Sequence, residues 1–558
     1  MCGIVGYFGE KVGSINREAL LVSIKHRGPD ETGVYVDHRS FLGHQRLSIV
    51  DISDGQQPFV IGNKILVFNG EIYNYLFLRA QLEESGVQFS TSSDTEVLLR
   101  AYLYYGNSFV DRLDGMFAFI IYDKVDGSVL IARDNYGIKP LYVWMEGQGF
   151  GFSSEVFTLL QLKAQVAPET FSISSTALSE YIRVGHTGEY PISDNVFLLE
   201  KGKLFLYSAY RLRELAPIDF RYSLSSKDLF SNLQAEVDAQ LHADVEVGVF
   251  LSGGIDSSLL TALASNHRKE ISTFSIGFDG EKSVDESKFA RFVANKFGTN
   301  HHEFTFNEQT LLKYIPQLIE CLDMPMYDPA MLPMLYLCDM TSKHVKVVLS
   351  GDGGDELFGG YTHHRVKKYG RIFRILEVLL GLFSWLPKIL NLRITIGKLL
   401  EKTKGVDVVS YDQNEGLDLR LLRKTDLCSM RYGVEVRVPF LSKRVTALSL
   451  SKDYWSYVGL VYGKQPLRKL VNKLINSDIA YKRKQGFRIP IKKWITEGEL
   501  STEIETALLN TWAIPQDVIS QDQARIWLNE RHIYYQELFS LYILNGWLNK
   551  LRQKTKLI

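Results

Sequence analysis

The chain has 558 residues, 45% of them hydrophobic and 23% charged, and its 64 basic and 64 acidic residues give a formal net charge of zero. A single compact core stops growing well below this length, so we expect at least two domains. Because a neutral chain presents no bulk positive field, we expect no nucleic-acid partner.

The start of the chain, MCGIVGYFGE, has neither a basic n-region nor an apolar h-region, which predicts that no secretory signal is present. The most apolar stretch, residues 378–386, is about half as long as a spanning helix, so we expect no transmembrane segment. The four cysteines are too scattered for a disulfide framework or a metal site, which favours a reducing compartment. We therefore interpret the protein as cytoplasmic.

Residues 2–165 are predicted to form a sheet-dominated α+β domain. Short strand-like runs occupy 65–68, 117–122 and 129–132, and Asp126-Gly127 is a hairpin signal before the last of them. Helical periodicity is confined to 76–84 and 95–105. Residues 166–228, with turn signals at Gly185, Gly188 and Pro191, are predicted to be connecting strands and a linker.

From residue 229 to 558 the pattern changes to alternating helices and strands. Strands are predicted at 245–251, 272–277 and 345–349, and helices at 257–265 and 286–297. This alternation predicts a parallel α/β sheet. Beyond about residue 365 the chain is predicted to be mostly helical. Within it, 371–400 combines basic residues with an apolar stripe, a pattern that fits a membrane surface or a partner, although a packed helical hairpin is the interpretation we favour.

Cys2 is the first candidate for chemistry. Removal of Met1 would give one residue both a thiol and a free α-amine, and an amine that titrates near ~7.7–8.0 can serve as the general base for the thiol. The motifs that follow it are CGIVG at 2–6, HRGPDE at 26–31, GHQRLSIVD at 43–51, FNGEIYN at 68–74, SDTE at 93–96, RD at 133–134, GIKPLY at 137–142 and FSSE at 152–155. This ordered set resembles the glutaminase domain of class II (N-terminal-nucleophile) glutamine amidotransferases, which implies an αββα fold.

The resemblance implies roles for individual residues. Cys2 would be the nucleophile, while the Asn69 side chain and the Gly70 N–H would stabilise the tetrahedral oxyanion, a contribution typically of about 10²–10³ in rate per donor. Arg46 suits the α-carboxylate of glutamine, and Asp94 with Glu71 suits its α-ammonium group. The implied glutamine-binding residues are Arg46, Leu47, Ser48, Ile49, Val50, Asn69, Gly70, Glu71 and Asp94.

A second candidate site begins at VFLSGGIDSS, residues 249–258, which places a strand, a Ser/Gly turn and a helix start in sequence. Glycines allow close backbone approach, and a helix N-terminus offers free N–H groups to phosphate. The motif lacks the GK[ST] ending of a Walker loop and resembles the pyrophosphate loop of the ATP-pyrophosphatases, whose domain is HUP-like. The implied ATP-binding residues are Leu251, Ser252, Gly253, Gly254, Asp256, Ser257, Ser258, Ile276, Ser350 and Gly351.

SGDGGDELFGGY at 350–361 follows another predicted strand, so both loops are expected at the carboxyl edge of one sheet. Carboxylates suit Mg²⁺, and the resemblance implies that Asp256 and Asp355 share it. Asp352 stands where these proteins have a general base. Lys484, in KRKQGF at 482–487, matches a basic loop that covers the phosphates.

With GVEVRVPFL at 433–441 and GKQPLRK at 463–469, these motifs resemble the asparagine synthetase family along the whole chain. The resemblance implies ATP as a substrate, Mg²⁺ as a cofactor, and glutamine-dependent amidation of a carboxylate, as in the conversion of aspartate to asparagine. The carboxylate would react through an acyl-adenylate, and ammonia would reach it through an internal tunnel.

Three features depart from the family pattern and resemble a divergent branch with the motif SGDGGDE. Asp352 is one methylene shorter than the usual Glu, 323–333 lacks the usual threonines, and Ser442 replaces an Asp. They leave open another acceptor, such as a sugar uronate in surface-polysaccharide biosynthesis, and a non-catalytic regulatory paralogue. The oligomeric state is also open, with a homodimer as one option.

Overall fold

A computed structural model describes residues 2–224, 226, 228–268, 270–278, 287–381, 394–398, 400–401, 403–405, 407–482 and 489–556. Strands are numbered here in chain order. The N-terminal strands are β1 (Cys2–Phe8), β2 (Glu31–Val36), β3 (Ser40–Arg46), β4 (Phe59–Ile61), β5 (Lys64–Ile72), β6 (Gly115–Asp123), β7 (Val129–Arg133), β8 (Tyr142–Glu146), β9 (Gly149–Ser153), β10 (Val196–Leu198), β11 (Lys203–Ser208) and β12 (Arg211–Pro217).

These strands form two antiparallel six-stranded sheets, in the orders β10-β8-β9-β1-β3-β2 and β12-β11-β7-β6-β5-β4. Their facing sides share one apolar core that includes Ile4 of the first sheet and Val67 of the second. The edge strand β2 alternates half-buried and exposed residues, as expected for a strand with one solvated face. The two sheets therefore form a sandwich, with apolar residues on the facing sides.

Helices cover both outer faces of this sandwich. Tyr75–Glu84 and Asp94–Tyr105 pack on the second sheet, and Arg17–Ser23 and Val156–Val166 pack on the first. The predicted αββα layering is thereby confirmed. Central strands such as β5 are buried on both faces for this reason.

The segment predicted as connecting strands extends both sheets. β10 pairs with β8, and β11 pairs with β7. Helix Ser175–Val184 precedes them. The sandwich thus continues to residue 217, where β12 ends. The sequence did not indicate this, because no motif marks the part of the chain that forms these outer strands.

The C-terminal part contains a parallel sheet in the order β15-β14-β13-β16-β17. Its strands are β13 (Val247–Phe250), β14 (Ser272–Phe278), β15 (Asn300–Phe306), β16 (Val347–Leu349) and β17 (Glu435–Arg437). β13 pairs with β14 on one side and with β16 on the other. The chain thus changes direction beside β13, and open α/β sheets bind ligands in the crevice at such a point.

Helices surround this sheet and continue to the end of the described chain, which confirms the mostly helical prediction apart from β17. They are Leu229–Gln240, Ile255–His267, Ser287–Phe297, Glu308–Cys321, Met331–Ser342, Gly354–Phe358, Thr362–Lys368, Gly370–Gly381, Val408–Tyr411, the π-helix Asp412–Leu422, Arg423–Met430, Lys443–Leu450, Gln465–Leu474, Ser477–Ala480, Ile491–Glu497, Glu499–Asn510, Gln521–Asn529 and Tyr535–Thr555.

Gly370–Gly381 falls in the basic segment predicted as a hairpin, but 382–393 lie outside the described residues, so the hairpin stays a prediction. Among the helices that the structure describes, none combines the length and the apolarity that crossing a membrane requires.

Candidate active sites

Cys2 and Asn69 are brought together by two strands of opposite sheets. Cys2 begins β1 and is 7% exposed, and its main-chain nitrogen donates a hydrogen bond to Asn69 Oδ1 at 3.0 Å. Asn69 lies in the centre of β5 and is fully buried. Its Nδ2 meets no hydrogen-bond acceptor among the described residues. The amide therefore presents an unused donor beside the cysteine.

Gly70 follows in the same strand with φ of 157°. A Cβ at this position would lie 2.0 Å from the carbonyl oxygen of Met116 in the neighbouring strand β6. Only glycine fits, and the strand can thereby present its backbone to the pocket beside Cys2.

That pocket is narrow and includes most of the residues predicted to bind glutamine. Its predicted members are Cys2, Arg46, Leu47, Ile49, Val50, Gly70, Glu71 and Asp94, and its unpredicted ones are Gly55, Gln57, Phe68, Ser93 and Thr95. Ser48 and Asn69 are not among them. Both are buried, and the N–H of Ser48 is bonded to Asp30 Oδ2 at 2.8 Å. The motif SDTE could have indicated Ser93 and Thr95, whereas no motif marks Gln57.

Arg46 anchors the loop that forms one wall of the pocket. Its guanidinium donates to the Glu31 carboxylate at 2.9 Å and to the carbonyl oxygens of Val50, Asp51 and Ile52. Asp51 has φ of 49°, and the hydrogen bonds from Arg46 hold this turn of the loop in place. The structure thus gives Arg46 a structural task in addition to the substrate contact predicted for it.

One end of the pocket is acidic, with the buried carboxyl groups of Asp94 and Glu71. Burial raises the pKa of Asp94 to about 6, although the N–H of Ile72 donates to its carboxylate at 3.1 Å. Burial and the nearby Asp94 raise the pKa of Glu71, against the influence of Arg437, which lies 3.4 Å away. Burial also raises the pKa of the Cys2 thiol. A cationic group is the ligand that such an end would accept most readily.

The second site is a cavity of about 400 Å³ at the carboxyl edge of the parallel sheet. Its predicted members are Leu251, Ser252, Gly254, Asp256, Ser257, Ile276, Ser350, Gly351, Asp352 and Asp355. Gly253 and Ser258 do not line it. Gly253 has φ of 71° and makes the turn tight, since a Cβ there would lie 2.7 Å from the main-chain nitrogen of Ala290. Ser258 is fully buried in the helix that follows.

Asp256 and Asp355 converge on one ammonium group. Lys464 Nζ lies 2.5 Å from Asp256 Oδ2 and 2.7 Å from Asp355 Oδ1, with its side chain 5% exposed. Lys464 has φ of 55° just before helix Gln465–Leu474. Two carboxylates that face one point are a donor set that fits Mg²⁺. The motif GKQPLRK contains Lys464, but only the fold places it here.

The other end of the cavity is formed around Asp352. Its Oδ2 accepts a hydrogen bond from Thr425 Oγ1 at 3.0 Å, and burial raises the pKa of its carboxyl group. Lys424, which also lines the cavity, is paired with Asp328 at 3.0 Å. No sequence motif indicated Lys424 or Thr425. Lys484 lies outside the described residues, so its place over the phosphates stays a prediction.

One further cluster in the described part of the chain has metal-ligand chemistry. His363, His364 and Asp412 offer ligand atoms within 4.8 Å of one another. The same Asp412 oxygen is hydrogen-bonded to His363 at 2.5 Å and to His364 at 2.8 Å. These groups therefore satisfy each other as a hydrogen-bonded cluster.

Fold and sites together define a two-site protein in which an N-terminal-nucleophile glutaminase sandwich precedes a nucleotide-binding α/β domain. Comparison with known proteins agrees with this class. A glutamine amidotransferase domain matches residues 1–214, and the asparagine synthase family model matches residues 228–549. The chain belongs to the asparagine synthase family.

Similar proteins match nearly end to end. A relative from Mycobacterium tuberculosis (strain H37Rv) is 32% identical over 90% of this chain and 89% of its own. Asparagine synthetase [glutamine-hydrolyzing] 1 of Bacillus subtilis is 29% identical over 96% and 92%. Asparagine synthetase B [glutamine-hydrolyzing] of Escherichia coli is 31% identical over 87% and 82%.

Proposed function

We propose that this chain is a glutamine-hydrolysing asparagine synthetase, which converts aspartate, glutamine and ATP into asparagine, glutamate, AMP and pyrophosphate. The observation that carries the proposal is the Cys2–Asn69 hydrogen bond in a pocket with an acidic end, within a chain that also has the Asp256–Asp355–Asp352 cavity. The names of the Bacillus subtilis and Escherichia coli relatives support the choice of aspartate as acceptor.

The glutaminase half-reaction follows from the first pocket. After removal of Met1, the α-amine of Cys2 takes the thiol proton as sulfur attacks the glutamine side-chain amide. Asn69 Nδ2 and the Gly70 N–H stabilise the oxyanion. The carbon–nitrogen bond then breaks, ammonia leaves with the transferred proton, and water hydrolyses the thioester to glutamate. Asp94 and Glu71 hold the substrate's α-ammonium group.

The synthetase half-reaction uses the second cavity. Backbone N–H groups at the start of helix Ile255–His267 and the hydroxyls of Ser252 and Ser257 bind the phosphates. Asp256 and Asp355 would hold Mg²⁺, which when bound neutralises charge on the pyrophosphate. The acceptor carboxylate attacks the α-phosphorus and pyrophosphate leaves. Ammonia then attacks the acyl-adenylate, Asp352 accepts a proton, and AMP departs.

The part of this cavity around Asp352 is suited to bind a small acidic substrate. Lys424 is the cationic side chain beside Asp352, and its pairing with Asp328 fixes its position. It suits the α-carboxylate of aspartate, which would leave the side-chain carboxylate to face the nucleotide. Four free cysteines, all buried, suit the reducing cytoplasm that we propose as its location.

Release of AMP tests the acceptor directly. The purified protein is supplied with glutamine, ATP and Mg²⁺, and aspartate, glutamate and nucleotide-linked uronic acids are compared as acceptors. We expect AMP and asparagine in equal amounts with aspartate alone. AMP formation only with a uronic acid would contradict the choice of aspartate, and no AMP with any acid would favour a non-catalytic paralogue.

A further inference from the structure

The helix Arg423–Met430 contacts both candidate sites with adjacent residues. Thr425 donates a hydrogen bond to Asp352 in the synthetase cavity at 3.0 Å. The next residue, Asp426, pairs with Arg27 of the glutaminase domain. Its Oδ1 accepts a hydrogen bond from Arg27 Nη2 at 3.1 Å, and its Oδ2 lies 2.9 Å from Arg27 Nη1. One short helix therefore joins the residue assigned as synthetase base to the opposite domain.

Arg27 completes the connection to Cys2. Its Nε donates to the carbonyl oxygen of Cys2 at 3.2 Å. The guanidinium is fully buried and also donates to Glu155 at 3.2 Å, and Glu155 is hydrogen-bonded to His26 at 2.8 Å. The path from the nucleophile to Asp352 thus runs through the Cys2–Arg27 hydrogen bond, the Arg27–Asp426 ion pair, the peptide unit between Asp426 and Thr425, and the Thr425–Asp352 hydrogen bond.

We propose that Arg27 and Asp426 are positioning residues that couple the two sites, so that filling of the synthetase cavity improves the placement of Cys2 for attack on glutamine. This inference rests on the function proposed above. Neither residue contacts a substrate in that scheme. Their effect would instead be to transmit a small movement of Asp352, made when the acceptor and ATP bind, to the backbone of Cys2.

The residues between Asp352 and Cys2 are buried and tightly packed, which allows a movement at one end to reach the other. Arg27 and Asp426 are 0% and 4% exposed, so water neither screens the pair nor replaces it. The helix is held on its other side by a hydrogen bond from Cys321 Sγ to the carbonyl oxygen of Leu427 at 3.1 Å. Packed interiors respond to a local shift by moving neighbouring groups, because they have few voids to absorb it.

Asp426→Asn tests the link because it preserves shape and removes one of the two carboxylate charges that pair with Arg27, the other being that of Glu155. Glutamate release is measured with and without ATP plus aspartate, and AMP release is measured with ammonium in place of glutamine. Wild type should show stimulation of glutaminase by the synthetase substrates, in the range of about 5–150-fold that couplings between sites usually reach. Asp426→Asn should lose most of this stimulation and should keep its basal glutaminase rate and its ammonium-dependent AMP release.

The matched control is Asp418→Asn. Asp418 also pairs with a buried arginine of the glutaminase domain, Arg133, at 3.0 Å, yet Arg133 is not bonded to Cys2 and Asp418 is not bonded to Asp352. This variant should keep the stimulation. Equal loss in both variants would show general loosening of the interface and would overturn the proposal, as would full stimulation in Asp426→Asn or no stimulation in wild type.

A second variant covers the case in which Asp426→Asn does not fold, as judged by absent ammonium-dependent AMP release. Arg27→Lys keeps the positive charge but cannot bridge Asp426 and the Cys2 carbonyl oxygen. It should also lose stimulation. Where Asp426→Asn does fold, combining the two changes should add nothing further. Additive losses would contradict a shared path. Failure of the proposed function is distinct, since wild type supplied with ammonium, ATP and aspartate would then release no AMP.

Discussion

The main-chain nitrogen of Cys2 and the side chain of Asn69 are joined by a 3.0 Å hydrogen bond across the two sheets of the N-terminal sandwich. The bond uses Oδ1 of the amide, whereas Nδ2 has no hydrogen-bond acceptor among the described residues. A substitution at Asn69 can therefore remove the Nδ2 donor and keep the oxygen that accepts from Cys2.

Asn69→Asp keeps an oxygen for the Cys2 nitrogen and removes the donor. We expect glutamine hydrolysis to fall by about 10²–10³ in kcat, the usual effect of removing one oxyanion donor, with ammonium-dependent AMP release unchanged. Both rates are measured on one preparation. Glutaminase activity at the wild-type level would refute the role of Nδ2.

Gly70→Ala should abolish glutamine hydrolysis and destabilise the fold. The new methyl group would lie 2.0 Å from the Met116 carbonyl oxygen, and overpacking of this kind costs about 1–3 kcal/mol. Gly62→Ala is the control, because Gly62 also has positive φ, 57°, but has open space around its Cβ position. Urea unfolding compares the two, and an equal loss in both would show that backbone conformation, not the clash, is responsible.

Asp94 should make stability depend on pH. Burial raises its pKa to about 6, against about 3.9 in an unfolded chain. Between these values the folded state binds a proton that the unfolded state lacks, so this residue lowers the free energy of unfolding as pH rises, and the full penalty is present above pH 6.

Asp94→Asn removes that penalty. The variant should be more stable than wild type at pH 7.5 and nearly equal at pH 4, while its KM for glutamine rises because the partner of the α-ammonium group loses its charge. Urea unfolding across about pH 4–8 measures the difference. A stability difference that does not change with pH would contradict the raised pKa.

Lys464→Gln should remove the ammonium group shared by Asp256 and Asp355, whose side chains are 18% and 14% exposed. Loss of one partner from a buried ion pair typically lowers the free energy of unfolding by about 3–5 kcal/mol. If the carboxylates also bind Mg²⁺, added MgCl₂ should recover part of the loss. Lys346→Gln is the control, since its pair with Asp30 is 41% and 28% exposed and should contribute at most about 1 kcal/mol. A deficit that is insensitive to Mg²⁺ would argue against the shared metal site.

The sequence predicted the parts of the sites that lie in continuous motifs. Strand, turn and helix start fall within ten residues at 249–258, so local chemistry specifies the phosphate loop. Lys464 and Thr425 were not predicted, because their contacts with Asp355 and Asp352 span long loops of chain and depend on how helices pack. For the same reason β11 was not assigned to the sandwich, since its partner β7 is far away in sequence.

The nitrogen source is the central claim, and Cys2→Ala tests it most directly. Asparagine formation from aspartate and ATP is measured with glutamine and, separately, with ammonium. We expect Cys2→Ala to lose the glutamine-dependent reaction and to keep the ammonium-dependent rate of wild type. Glutamine-dependent asparagine formation at an undiminished rate in this variant would contradict it.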